Sequence, residues 1–169
     1  MPILDPRSFE FVSHSDEQTQ RIGARLGVIL PVHMVLALIG PMGAGKTHFS
    51  KGVGLGWGAD QPLRSPTFTL VQEHHRAGDY ATLYHIDLYR AERLADLRGI
   101  GLDEIFDDDH TIALVEWAER AEDMLPTDAL YVRIAVASET KRQMTFSTSS
   151  DETWQVLQTF RKIIFGVGD

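Results

Sequence analysis

Eight residues constrain this chain more than any others: Gly40-Pro41-Met42-Gly43-Ala44-Gly45-Lys46-Thr47. They fit G-x-x-x-x-G-K-[ST], the pattern of a phosphate-cradling loop. An apolar run of β-formers, Met34 to Ile39, precedes the loop, and residues able to open a helix, His48-Phe49-Ser50-Lys51, follow it. Strand, loop and helix in that order are the context the pattern needs. Glycines let the backbone curl so that several N–H groups converge on an anion. The helix N-terminus adds positive potential beneath it. In such a loop Lys46 reaches the β- and γ-phosphates of a nucleotide, and the Thr47 hydroxyl holds Mg2+. The alternative is a Gly-rich turn with a chance lysine, and the flanking strand and helix weigh against it.

A second group is needed on the metal. Thr111-Ile112-Ala113-Leu114-Val115 is continuously apolar, as a buried parallel strand is, and it ends in Glu116. A carboxylate at the carboxyl end of such a strand stands in the Walker-B position and completes the Mg2+ site with Thr47. The expected fold is α/β: a P-loop NTPase of three layers, α/β/α, with a mostly parallel central sheet and an antiparallel hairpin.

The rest of the chain fits around that frame. Ser8 to Ser13 alternates as a half-exposed strand does. Ser15 and Gln18 make a capping box, and Ile22, Leu26, Ile29 and Leu30 recur at helical spacing up to Pro31. That helix either points its N-terminal end at a bound nucleotide or only covers the sheet. Gly52, Gly54, Gly56 and Gly58 break the pattern after the phosphate loop, which predicts a short helix or one ending near Trp57. Thr67 to Glu73 and Ala81 to Asp87 read as a hairpin around the polar turn His75 to Asp79. Short helices interrupted at Gly99 and Gly101 follow, then the acidic turn Asp107-Asp108-Asp109-His110, which lacks the spacing of a metal site. A short helix is expected from Ala118 to Met124. Tyr131 to Val136 and Gln143 to Ser147 pair across the basic turn Lys141-Arg142, and Asp151 to Phe165 forms a closing amphipathic helix.

Composition narrows the classes. The 169 residues suggest one domain over 1–169, with 43% hydrophobic and 24% charged residues, as in an ordinary globular protein. A formal net charge of −8 disfavours unaided binding to a phosphate backbone, so any nucleic acid would be reached through a partner protein. There are no cysteines, no apolar run of membrane-span length and no signal-peptide core, which reads as a cytoplasmic protein without membrane association.

Three further blocks carry a resemblance. They are Ser65-Pro66-Thr67-Phe68-Thr69-Leu70-Val71, His85-Ile86-Asp87-Leu88-Tyr89-Arg90 and Val115-Glu116-Trp117-Ala118-Glu119. With the phosphate loop, in this order and spacing, they resemble the bacterial TsaE (YjeE) family from about Ser13 to about Ser147. The resemblance implies a small P-loop ATPase acting in the synthesis of N6-threonylcarbamoyladenosine in tRNA. It implies ATP and Mg2+ as cofactors and TsaD and TsaB as partners, with tRNA reached through their complex. The ATPase would drive or reset the cycle, and TsaD would transfer the group.

Carried over residue by residue, the resemblance places phosphate binding on Gly43, Ala44, Gly45, Lys46, Thr47 and His48. It places Mg2+ on Thr47 and Glu116, and a catalytic carboxylate on Asp87. Thr67 falls in a loop resembling a nucleotide-sensing switch. Asp16 matches a nucleotide-contacting entry to the first helix. Either Arg142 or Lys141 matches a basic residue near the nucleotide. Where the family usually has G-D-L-G-A-G-K-T, this chain has Pro41-Met42; phosphate binding should survive, and any contact from the usual Asp is lost.

Other readings stay beside these. Asp87 either orients the attacking water, holds a metal-bound water, or caps the following turn. Trp117 either packs in the core or stacks near the nucleotide. His74, His75 and His85 read as surface or packing residues, since no spacing suits zinc. Among rival functions, a GTPase is opposed by the absence of any asparagine, which rules out N-K-x-D, although Asp96-Leu97-Arg98-Gly99 matches D-x-x-G. A small-molecule kinase would carry an arginine-rich lid, and no such cluster is present. A nucleotide-dependent interaction module, using ATP without hydrolysing it, is the third.

Overall fold

A computed structural model describes residues 7–65 and 70–166. Its strands are β1 (Ser8–Ser13), β2 (Met34–Ile39), β3 (Val71–His75), β4 (Thr82–Asp87), β5 (Thr111–Glu116), β6 (Leu130–Val136) and β7 (Arg142–Ser147). Its helices are α1 (Asp16–Ile29), α2 (Lys46–Trp57), α3 (Leu94–Gly99), α4 (Leu102–Asp107) and α5 (Asp151–Phe165). The short helix expected over Ala118–Met124 is a 3-10 segment, and Ala121 kinks it.

The strands form one mixed sheet in the order β1-β7-β6-β2-β5-β4-β3. Its four central strands, β6, β2, β5 and β4, run parallel. Antiparallel pairs close both flanks: β3 on β4, and β7 on β6 with β1 outside it. Both expected hairpins are present, and the expected N-terminal strand pairs with the second of them. Two boundaries also move. The first hairpin strand is described over Val71–His75, so it reaches into the residues read as a turn, while 66–69 lie outside the described residues. Arg142, read as part of a turn, opens β7.

Successive residues of β2 face opposite sides, as the period of a strand requires. Met34, Leu36 and Leu38 enter one core with Ile22 and Leu26 of α1, Phe49 and Val53 of α2, and Leu157 and Phe160 of α5. Val35 and Ala37 enter the other with Leu97, Leu102, Phe106, Ala118 and Ala121. The sheet is thus covered on both faces, which explains the unbroken apolar runs of β2 and β5. Full burial of a Leu side chain such as Leu36 or Leu38 contributes about 1.5–3 kcal/mol.

The glycines after the phosphate loop do not break α2. The helix runs through Gly52, Gly54 and Gly56 and stops at Trp57, where Gly58 takes the left-handed conformation with φ 89°. A Cβ on Gly52 would stand 1.9 Å from the Gln20 carbonyl oxygen, and one on Gly56 the same distance from that of Ala24. On the facing helix, Cβ atoms on Gly23 and Gly27 would each stand 2.3 Å from carbonyl oxygens of Phe49 and Val53. These four glycines let α1 and α2 touch backbone to backbone. Among the described residues, no helix is long and apolar enough to cross a membrane.

Candidate functional site

Parallel pairing brings three strand ends to one edge of the sheet. β2 ends at Ile39 and feeds the phosphate loop. β4 ends at Asp87 and β5 at Glu116, and these two residues are register partners; Glu116 is also paired with Leu38 of β2. Ligands of open α/β sheets collect at this kind of edge, outside the carboxyl ends of the strands. A cleft of about 430 Å3 lies here.

The phosphate-loop residues Gly43, Ala44, Gly45, Lys46, Thr47 and His48 line the cleft. Gly45 caps α2 with φ 103°, a region that a side chain would strain, and Gly43 has φ 78°. Lys46 is buried. Its Nζ donates to the carbonyls of Gly40 and Pro41, the latter at 2.9 Å, and stands 4.1 Å from the centre of the Trp117 ring. Burial pulls the lysine below its ordinary pKa, while Glu116, Glu119 and Asp87 push it back up.

Thr47 Oγ1 donates to Glu116 Oε1 at 3.0 Å and lies 3.3 Å from Ser65 Oγ. Glu116 is 2% exposed, and its other oxygen accepts from His85 Nε2 at 2.5 Å. A hydroxyl and a carboxylate oxygen suit a hard cation such as Mg2+, which takes few protein ligands and completes its shell from phosphates and water. Among the described residues, there is no group of three or more His, Cys, Asp or Glu that could hold a metal ion.

Asp87 also lines the cleft. Its Oδ1 accepts the Tyr89 N–H at 3.0 Å, so the turn-capping reading is realised, and the carboxylate faces the cleft as well. Burial raises its pKa, and the charge of Glu116 adds to the rise. The Tyr89 hydrogen bond, His85 and Lys46 act the other way. Trp117 packs against the second core, as one of its readings had it, and also lines the cleft. Its φ of 58° is left-handed, a strained state for a bulky residue and one that gathers at functional sites.

Asp16 opens α1 behind its Ser15 cap and lines the cleft, 3.6 Å from His48 Nε2, while Ile22 and Leu26 of the same helix cover the sheet. Arg142, not Lys141, reaches the loop: its Nε donates to Ala44 O at 3.1 Å and its Nη2 to Gly43 O at 3.3 Å. Thr67 lies outside the described residues.

Met42, Ser65 and Tyr89 also line the cleft, and sequence reasoning had not singled them out. Tyr89 was within reach of it. It lies two residues past Asp87, and its ring meets Trp117 at 5.1 Å. His85, read as a surface or packing residue, is buried; strand period puts it on the same face of β4 as Asp87, and it also hydrogen-bonds to Glu116.

A family profile described as "Threonylcarbamoyl adenosine biosynthesis protein TsaE" matches residues 13–144. The tRNA threonylcarbamoyladenosine biosynthesis protein TsaE of Treponema pallidum (strain Nichols) is 37% identical over 134 residues, 79% of this chain and 96% of that one. The protein of the same name from Bacillus subtilis (strain 168) is 37% identical over 131 residues, 78% of this chain and 80% of that one. A crystal structure of Bacillus subtilis YdiB matches with a TM-score of 0.76 at 30% identity, covering 93% of this chain and 96% of the other. A match over most of the chain in both sequence and fold means that this chain belongs to the TsaE family.

Proposed function

We propose that this chain is the ATP-binding and ATP-hydrolysing component of the machinery that makes threonylcarbamoyladenosine in tRNA, working with TsaD and TsaB to drive or reset the transfer cycle. One observation carries the reading: Thr47 Oγ1 and Glu116 Oε1 meet at 3.0 Å in a cleft that Lys46 and Asp87 also line. The names of the relatives support the pathway.

Phosphoryl transfer to water needs charge neutralisation and an aligned nucleophile more than covalent chemistry. Lys46 supplies a cation at the loop. Thr47 and Glu116 supply oxygen donors for Mg2+, which when bound would neutralise phosphate charge. Asp87, at the end of β4 beside Glu116, is placed to accept a hydrogen bond from the attacking water, and its raised pKa suits a group that takes up a proton. Arg142 braces the loop by donating to the Ala44 and Gly43 carbonyls. With a net charge of −8, the chain leaves contact with tRNA to its partners.

Calorimetry with Mg-ATP and Mg-GTP tests the nucleotide: ATP should bind more tightly, and the reverse would overturn the assignment. A non-hydrolysing interaction module is the second reading, favoured by the engagement of Asp87 Oδ1 in a turn cap. Single-turnover hydrolysis with and without TsaD and TsaB separates the two.

A further inference from the structure

His85 sits in a costly place. Leu83, His85 and Asp87 share one face of β4, and Leu83 is core. The imidazole is 0% exposed, and its Nδ1 has no hydrogen-bond partner among the described residues. Burying a polar ring with one nitrogen unmatched carries a desolvation cost that a leucine there would avoid. Among the described residues, the one polar contact that offsets it is Nε2 donating to Glu116 Oε2 at 2.5 Å. Glu116 is itself buried, with its two oxygens divided: Oε2 to His85, Oε1 to Thr47. The ring's polar chemistry is spent on the orientation of one carboxylate.

We propose that His85 is a positioning residue: it holds Glu116 in the orientation that leaves Oε1 directed at Thr47 and at the divalent cation. The inference rests on the Mg-ATP reading and deepens it. Without the imidazole donor, Oε2 becomes a buried, unpaired oxygen, and the carboxylate is released to turn away from Thr47. Partners of this kind set the orientation of metal ligands, and their loss typically costs about 10–100-fold in metal affinity.

Two measurements test it. The first uses the protein alone. A 1H–15N imidazole spectrum should show a slowly exchanging Nε2–H on His85 that shifts or disappears in Glu116→Ala. Its absence from the wild type would overturn the proposal whatever the fate of the nucleotide reading. The second titrates Mg2+ against binding of a fluorescent ATP analogue. His85→Leu should raise the Mg2+ midpoint by about tenfold or more, with affinity in EDTA unchanged. His85→Gln keeps a donor at similar reach and should recover most of the shift. An unchanged midpoint in His85→Leu, or a midpoint in His85→Gln as displaced as that of His85→Leu, would overturn the positioning role alone. Wild-type binding indifferent to Mg2+ would overturn the metal reading, and the role of His85 with it.

Discussion

Replacing Gly52 with alanine separates two accounts of the glycines in α2, because they differ in sign. If glycine there only weakens the helix, alanine should stabilise the protein by about 1 kcal/mol through helix propensity. The structure predicts the opposite. The new Cβ would lie 1.9 Å from Gln20 O, 2.8 Å from Gln20 C and 3.0 Å from Ala24 N, all backbone atoms of α1. Ordinary contact begins at 3.4 Å, so the helices must separate by about 1.5 Å, the difference between 3.4 and 1.9 Å. Backbone cannot rotate out of the way as a side-chain tip can. Overpacking of this kind costs about 1–3 kcal/mol or more, and the separation also opens the contact along its length. After the propensity gain of about 1 kcal/mol, a net loss of up to about 2 kcal/mol is expected, or up to roughly 4–8 °C in Tm for a chain of this size.

The assay is thermal and urea unfolding of Gly52→Ala beside two comparisons. At Gly54 the obstruction is Leu63 Cδ1 at 2.3 Å, a side-chain end that can move, so the loss should be smaller. At Gly99 nothing lies within 4 Å, so alanine should be neutral or stabilising. A Gly52→Ala protein that melts above the wild type would refute the close-approach account.

Lys46→Ala should abolish hydrolysis without unfolding the chain, since it also relieves a cation that burial disfavours; unchanged turnover by a folded variant would make the loop irrelevant to activity. Glu116→Ala should weaken Mg2+-dependent nucleotide binding. Asp87→Ala should instead lower turnover by about two orders of magnitude with ATP affinity within a few-fold, and sustained multi-turnover modification of transcribed tRNA by that variant would sink its catalytic role. Asp87→Asn should raise Tm at pH 7. Burial raises the folded pKa of Asp87, so stability falls as pH climbs from the unfolded value of about 3.9 through the folded one. The advantage of Asn should then vanish below the unfolded pKa, and a difference that is the same at every pH would contradict this.

The frame of the fold was legible because it depends on period and punctuation. Met34–Ile39 and Thr111–Glu116 announce buried strands by continuous apolarity, and Ser15 and Gly58 mark helix ends by their capping chemistry. Several residues that line the cleft were legible too: Lys46, Thr47 and Glu116 from a loop pattern and a strand end, and Asp87 from the resemblance of its block. The readings that were incomplete or left open arose where a residue answers to a partner distant in sequence. Gly52 is a helix breaker by propensity and a contact residue once α1 lies across it. His85 is an ambiguous strand histidine until parallel pairing sets β4 beside β5. Arg142 and Lys141 are adjacent cations, and only the first residue of β7 reaches Gly43 and Ala44.

Local costs gather at one end of the sheet. Trp117 holds a left-handed φ, Lys46 is a buried amine, Asp87 is a carboxyl that burial pushes toward neutrality, and His85 is a sealed ring with one partner. Each feature alone is destabilising, and folding chemistry does not ask for any of them. The α1–α2 side shows the reverse pattern: glycines spaced four apart fit against carbonyls, with apolar side chains around them. That packing gives α2 a rigid seat at the moment its N-terminal turn must hold Lys46 and Thr47 in place. Stability is thus concentrated under the phosphate loop and strain in front of it, and Lys46, the first residue of the twelve-residue helix α2, joins the two. A perturbation of the glycine contact should therefore reach the cleft: Gly52→Ala should weaken nucleotide binding although it lies on a different turn of α2 from Lys46 and Thr47.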